Sequence, residues 1–329
     1  MKFYSFILNI LRRIFKSFEK KEKVVSRLII YAKWKRRKDI NNVEWDESFE
    51  NSKNISSTKI AICIVFLYSE QKLTYLKKIC SNFLNLSSQI DLTIITNTAD
   101  ESKINKIKNS LTNNKNVNIL SIGNLVHPYL LPWCHIQVMK NKIKDESFTH
   151  FLFTEDDMAI SNFNILYWIK ARETLKKFDL IPSFVRYEIN DSNEKCSVDI
   201  LKKIKRNSTP RVYSKENNIA FINTIQPPYQ GMYLYDRELM NEYLNSSSTS
   251  PDFGFFSSEI RDTYLIRERA NLGLTFFNVP DGFYNRYVFP VSLKENKIKD
   301  CCLIHHLPNK YSNDPDEPYG KLLISDLIT

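Results

Sequence analysis

The feature that most constrains this chain is a run of almost uninterrupted apolar residues at 59–68 (KIAICIVFLY). A strand with one wet face alternates apolar and polar side chains. A run apolar on both faces belongs to a strand covered on both, as in a parallel sheet flanked by helices. The residues that follow keep the matching rhythm. Residues 70–86 read as a helix, 91–96 (DLTIIT) as a strand and 100–113 as a helix. Then come a strand at 117–122, a helix at 128–143 and a fourth strand at 148–154 (FTHFLFT). A helix over 162–178 and a strand over 183–189 are expected next. Such alternation predicts an α/β, Rossmann-like fold, a mostly parallel sheet with helices on both faces. Residues 190–226 read as a polar, partly hairpin-like excursion.

Ligands of such sheets sit outside the carboxyl ends of the strands. At one such end, directly after FTHFLFT, stand Glu155, Asp156 and Asp157. Three consecutive carboxylates repel one another, and a fold that keeps them together usually does so for a cation. Oxygen ligands suit Mg²⁺ or Mn²⁺, which take few protein carboxylates and complete their shell with water and phosphate. The plainer expectation is that Asp156 or Asp157 caps the following helix.

The net charge of +10 is unevenly placed. Residues 1–38 hold thirteen Lys and Arg against Glu19 and Glu22, so the rest of the chain is close to neutral. In this segment Phe3, Phe6, Ile7, Ile10, Leu11, Ile14, Phe15 and Phe18 recur at helical spacing opposite the basic residues. The pattern predicts a basic amphipathic helical arm lying on an anionic membrane surface. Its apolar run is too short to span a bilayer, and no cleavage site of the signal-peptide kind follows it. No aromatic-basic stacking platform accompanies the charge, so nucleic acid is not an expected partner. Residues 39–58 read as a polar linker. The six cysteines form no CxxC pair, which argues for free thiols rather than a zinc site.

Three later segments complete the pattern. Residues 226–235 (QPPYQGMYLY) place Gly231 at a turn into a strand. Residues 257–262 (SSEIRD) place Glu259 in the first turn of an expected helix, with Asp252 and Asp262 as rival carboxylates. Residues 301–308 (CCLIHHLP) end a short apolar strand in His305 and His306, two of only five histidines. Taken in order with the acidic cluster, these segments resemble the GT-A glycosyltransferases, metal-dependent enzymes with a DxD or EDD motif. The resemblance covers roughly 59–310 and is carried by these short motifs alone.

The resemblance implies a nucleotide-binding half at 59–157 and an acceptor half at 158–329. It implies that Glu155 and Asp157, joined by His306 or His305, hold Mn²⁺ or Mg²⁺ against the diphosphate of a nucleotide sugar, with His306 favoured. Asp156 and Gly231 would line the donor site. Tyr68, Ser69 and Asn97 would meet the base and ribose, with Tyr129, Trp133 and His135 stacking on the base or packing. Arg186, Tyr187 and Glu188 would face the acceptor, a glycan or lipid-linked glycan of surface-polysaccharide type. Glu259, or Asp252 or Asp262 in its place, would act as general base in an inverting enzyme. The arm would place the protein on the cytoplasmic face of the membrane. The rival expectations are a nucleotidyltransferase, disfavoured because Tyr68-Ser69-Glu70-Gln71-Lys72 contains no glycine, and a non-catalytic membrane adaptor.

Overall fold

The computed structural model describes residues 39–40, 43–45, 58–86, 89–111, 117–214, 216, 218–224, 229–251 and 264–329. The basic arm and the three carboxylates Asp252, Glu259 and Asp262 lie outside the described residues. Four expected strands form the centre: β1 (Lys59–Phe66), β2 (Gln89–Thr96), β3 (Val117–Ser121) and β4 (His150–Glu155). They are mutually parallel, in the order β3-β2-β1-β4. The apolar run of β1 is buried from Ile60 to Phe66. It lies between β2 and β4, which accounts for its lack of alternation.

The crossovers are helical. They are α1 (Leu73–Leu84), α2 (Glu101–Ser110) and, before β4, a 3₁₀ turn (Pro128–Cys134) running into α3 (His135–Lys142). The Asp100 side chain caps α2 by accepting from the amides of Ser102 and Lys103. Consecutive strands extend the sheet outward from β1 to β3, and β4 then returns to the other side of β1. The strand order therefore reverses between β1 and β4, and a crevice opens at their carboxyl ends.

The expectation of one mostly parallel sheet holds only for this centre. The strand Met232–Asp236 joins β4 antiparallel. A second, five-stranded sheet runs Leu322–Leu323, Lys195–Ser197, Val185–Ile189, Leu303–His306, Met158–Ala159, with only the Val185–Ile189 and Leu303–His306 pair parallel. A third, six-stranded sheet is built on the Arg211–Ser214 and Ile219–Ile222 hairpin and on Tyr287–Ser292. The molecule is α/β with three mixed sheets. Three of these pairings are local hairpins, Val185–Ile189 with Lys195–Ser197, Arg211–Ser214 with Ile219–Ile222 and Tyr287–Ser292 with Lys297–Ile298, and hairpins make antiparallel ladders. The stretch expected as a linker is partly built into the body: Asp39–Ile40 pairs with Arg211–Val212, and Val43 and Trp45 are buried.

Helix α4 (Asn162–Leu175) fixes the second sheet against the first. Ser161 and Asn164 form a reciprocal capping box at its start. The Asn164 amide also donates to the carbonyls of Cys301 (2.8 Å) and Leu303 (3.0 Å). The helix start is thereby tied to the strand carrying His305 and His306. Capping falls to Ser161, so the acidic cluster does not cap this helix. Among the described residues no helix is long and apolar enough to cross a membrane.

Candidate functional site

Glu155 is the last residue of β4, and Asp156 and Asp157 form the turn beyond it. Here the chain passes from the central sheet to the second. Met158 pairs with His306, and the Leu307 amide donates to the Asp157 carbonyl at 3.0 Å. Residues 150 positions apart are thus held side by side by backbone bonds. Asp156 and Asp157 are buried, at 3% and 7% exposure. Buried carboxylates need partners, and each of the three finds different ones.

Glu155 accepts from the Tyr229 hydroxyl (2.8 Å) and the Asn271 amide (3.0 Å), which also donates to Tyr229 (2.6 Å). Its own amide donates to the Gly231 carbonyl. Gly231 has φ +61°, and a Cβ there would lie 3.0 Å from Glu155 Oε2. Glycine meets both demands, the left-handed backbone and the close approach. Asp156 pairs with Lys72 Nζ at 3.0 Å. Asp157 Oδ2 lies 3.5 Å from His306 Nε2, while its buried Oδ1 has no partner. His306 Nδ1 meets Glu188 Oε1 at 2.6 Å.

Burial, then the charge of Asp157, pushes Asp156 up to about 7 despite Lys72. Glu155 is raised by the same two causes. Burial also acts to raise Asp157, but its hydrogen bond and charge interaction with His306 win and hold it below the usual carboxylate range. Burial opposes the protonated form of His306, yet its bonds to Asp157 and Glu188 raise it overall.

These shifts have a sign. A carboxyl raised from 3.8 to about 7 keeps its proton in the folded state at pH values where the unfolded chain has lost it. Stability contributed this way is lost as pH rises through that window. Raised Glu155 and His306 act in the same direction. The lowered Asp157 and Glu188 lose their contribution only below the ordinary carboxylate range. Neutral His135 and His150, held by burial down to about 3 and about 4, act in the opposite direction, because each loses stability as pH falls below the ordinary histidine range. The contribution of Asp156 therefore shows in the difference between two proteins: from about pH 5 to about pH 8 the metal-free wild type should lose stability relative to Asp156→Asn, in which the amide keeps an acceptor for Lys72 without the charge. Melting curves of both proteins at the two pH values check this; a gap between them that does not change with pH contradicts it.

The cluster forms the floor of a cleft of about 530 Å³. Val65, Leu67, Pro128, Tyr129, Pro132, Tyr311, Tyr319, Val198 and Leu201 also line it. Lys72, Arg186, Arg267 and Lys310 bring positive charge to it. Arg186 makes a double hydrogen bond to Asp199 (2.7 and 2.6 Å), and its guanidinium lies 4.7 Å from the Tyr229 ring centre.

The structure gathers some predicted residues and separates others. Glu155, Asp156, Asp157 and His306 meet in the cleft, with Gly231 behind Glu155. His305 points to the other face, where it stacks on Tyr187 (5.0 Å) and bonds Asn309. Tyr68, Ser69 and Asn97 do not line the cleft. Asn97 instead accepts from the Tyr68 amide at 2.8 Å and ties the ends of β1 and β2 together. Tyr129 lines the cleft. Trp133 donates to the Ile266 carbonyl, and His135 is buried against Phe153, so both serve packing. Of the residues expected to face the acceptor, Arg186 reaches the cleft, Tyr187 packs on His305 and Glu188 turns to His306. Among the described residues no three His, Cys, Asp or Glu side chains converge as a ready-made metal cage.

Sequence reasoning missed Lys72, Tyr229, Asn271 and Tyr311. A lysine immediately before a helix that follows a buried strand was the readable hint for Lys72. Asn271 and Tyr311 gave none, since loops bring them in from far along the chain. No protein-family model and no curated protein matches this chain.

Proposed function

We propose that the protein is a divalent-metal-dependent glycosyltransferase of GT-A type. It would move a sugar from a nucleotide donor to a hydroxyl of a glycan or lipid-linked glycan. One observation carries the reading: an acidic turn sits at the point where the strand order reverses, and there the buried, unpartnered Oδ1 of Asp157 lies at the floor of a cleft beside His306. An oxygen desolvated without a partner is costly unless a ligand completes it. Mg²⁺ and Mn²⁺ need only one or two protein carboxylates when phosphates supply the rest. The residues therefore fit such an ion without a three-residue cage: Asp157 and His306 would hold it, with Glu155 in support. When bound, it would supply charge neutralisation to the departing diphosphate.

The chain's own groups account for the remaining work. Lys72, Arg186, Arg267 and Lys310 would face the diphosphate, and Tyr129 would stack on the base. In an inverting transfer, the acceptor oxygen bonds to the anomeric carbon as its bond to phosphate breaks. The nucleoside diphosphate leaves with the electron pair, and Glu259 would take the acceptor's proton. The basic arm would hold the enzyme at the cytoplasmic membrane surface.

The test is thermal stabilisation of the full chain by UDP, GDP and CMP, each with and without Mn²⁺. At a nucleotide concentration about 100 times Kd, binding adds about 2.7 kcal/mol of stability, a shift of several degrees. The expected result is a metal-dependent shift with one of the three. Absence of any shift with all of them overturns the reading.

A further inference from the structure

The carboxylate of Glu188 is fully buried and uses both of its oxygens. Oε1 meets His306 Nδ1 at 2.6 Å. Oε2 accepts from two consecutive backbone amides, Tyr311 at 2.8 Å and Ser312 at 2.7 Å. Its position follows from sheet register. Val185–Ile189 and Leu303–His306 run parallel, with His305 opposite Tyr187, so the next pair along is His306 and Glu188. The same carboxylate thus holds the histidine ring and the turn whose Tyr311 stacks on that ring at 5.6 Å. Backbone amides can only donate, and an ionised carboxylate can only accept. Nδ1 must therefore carry a proton toward Glu188 at 2.6 Å, whereas Nε2 stands 3.5 Å from Asp157, so in the neutral ring the single proton belongs on Nδ1 and Nε2 is left bare.

We propose that Glu188 is a positioning residue that fixes the Nδ1–H tautomer of His306 and so keeps the Nε2 lone pair available at the Asp157 side of the cleft for a divalent cation. The role of Nε2 rests on the function proposed above; the tautomer assignment does not. Histidine ligands commonly depend on such a partner, whose loss lowers metal affinity about 10- to 100-fold.

Glu188→Gln is the informative variant, because it keeps size and shape. Its one carbonyl oxygen must serve the two amides of Tyr311 and Ser312. That turns its NH₂ toward Nδ1, which must then accept, and the ring proton moves to Nε2. Isotope-edited nitrogen NMR of histidine-labelled, metal-free protein in alkaline buffer reads the tautomer directly. The His306 signal is identified by its absence from His306→Gln. Wild type should show a protonated Nδ1 and a bare Nε2, Glu188→Gln the reverse, and Glu188→Asp the wild-type pattern. A wild-type ring with its proton on Nε2, or a Glu188→Gln ring unchanged from wild type, overturns the proposal. If Glu188→Gln does not fold, the wild-type and Glu188→Asp spectra still decide it. Electron paramagnetic resonance of added Mn²⁺ supplies the second readout. Glu188→Gln should bind it about 10- to 100-fold more weakly than wild type, with Glu188→Asp between the two. Equal affinity in Glu188→Gln and wild type removes the positioning role. A wild-type protein that binds no Mn²⁺ sinks the transferase reading instead, and the tautomer result stands apart from it.

Discussion

Asp157→Ala is expected to weaken Mn²⁺ binding by about 100-fold or more and to abolish metal-dependent stabilisation by nucleotides. Loss of an outer partner of a metal ligand alone lowers affinity about 10- to 100-fold. Asp157 is placed as a direct ligand, so its loss should reach the top of that range or pass it. The fold should survive. Asp157 makes no side-chain contact that joins elements apart from His306, and the backbone bond from Leu307 to its carbonyl remains in alanine. Removing its charge also relieves Asp156 and Glu155, both of which it raises. The metal-free variant should therefore stay folded at neutral pH, losing the contact with His306 but gaining that relief, while its response to Mn²⁺ and nucleotide disappears. Melting curves and Mn²⁺ titration on the same sample separate the two effects. A variant that keeps its metal-dependent nucleotide response would remove Asp157 from the site.

The second large effect concerns Arg186. Its side chain and that of Asp199 are 7% and 11% exposed and joined by two short hydrogen bonds. Arg186→Met should destabilise the protein by about 3–5 kcal/mol, the usual loss when one partner of a buried pair is removed. The Asp199 side chain would be left largely buried without its partner, and the neighbouring Glu155 would lose a cation that lowers its pKa. The double variant Arg186→Met with Asp199→Leu should regain most of that loss, since two apolar side chains can replace a buried pair at little expense in stability. If Arg186 also faces the diphosphate, the double variant will fold well and still bind nucleotide weakly. Chemical denaturation of the four proteins in the cycle gives the coupling, and nucleotide titration of the double variant tests the second role. A single variant as stable as wild type would show that the pair contributes little.

The central sheet was legible because burial on both faces leaves a direct mark on sequence. Runs such as 59–68 and 148–154 carry no alternation, and their lengths suit strands. The second and third sheets were legible only in part. Strands were expected over 183–189 and within 301–308, and Val185–Ile189 and Leu303–His306 bear them out. Strands of two or three residues, such as Met158–Ala159 and Lys195–Ser197, are too short to show a period. Their pairing depends on partners far along the chain, as with Met158 and His306. The same limit governs the site. The acidic cluster and the histidine pair were visible as unusual residues at strand ends, whereas which histidine turned inward depended on register.

What the amino-acid sequence determined by itself is the parallel core, the seat of Glu155, Asp156 and Asp157 at its edge and the concentration of positive charge in residues 1–38. These follow from local chemistry, namely apolar runs, strand ends and counted charges. Tertiary structure decided which groups meet them. It gave Asp156 to Lys72, Glu155 to Tyr229 and Asn271, and Asp157 to a histidine held from behind by Glu188. It also gave helix capping to Ser161 and left the acidic turn free of it. The physical reason is that a carboxylate's partners are set by distance in space, and here the fold brings together residues 74 to 149 positions apart.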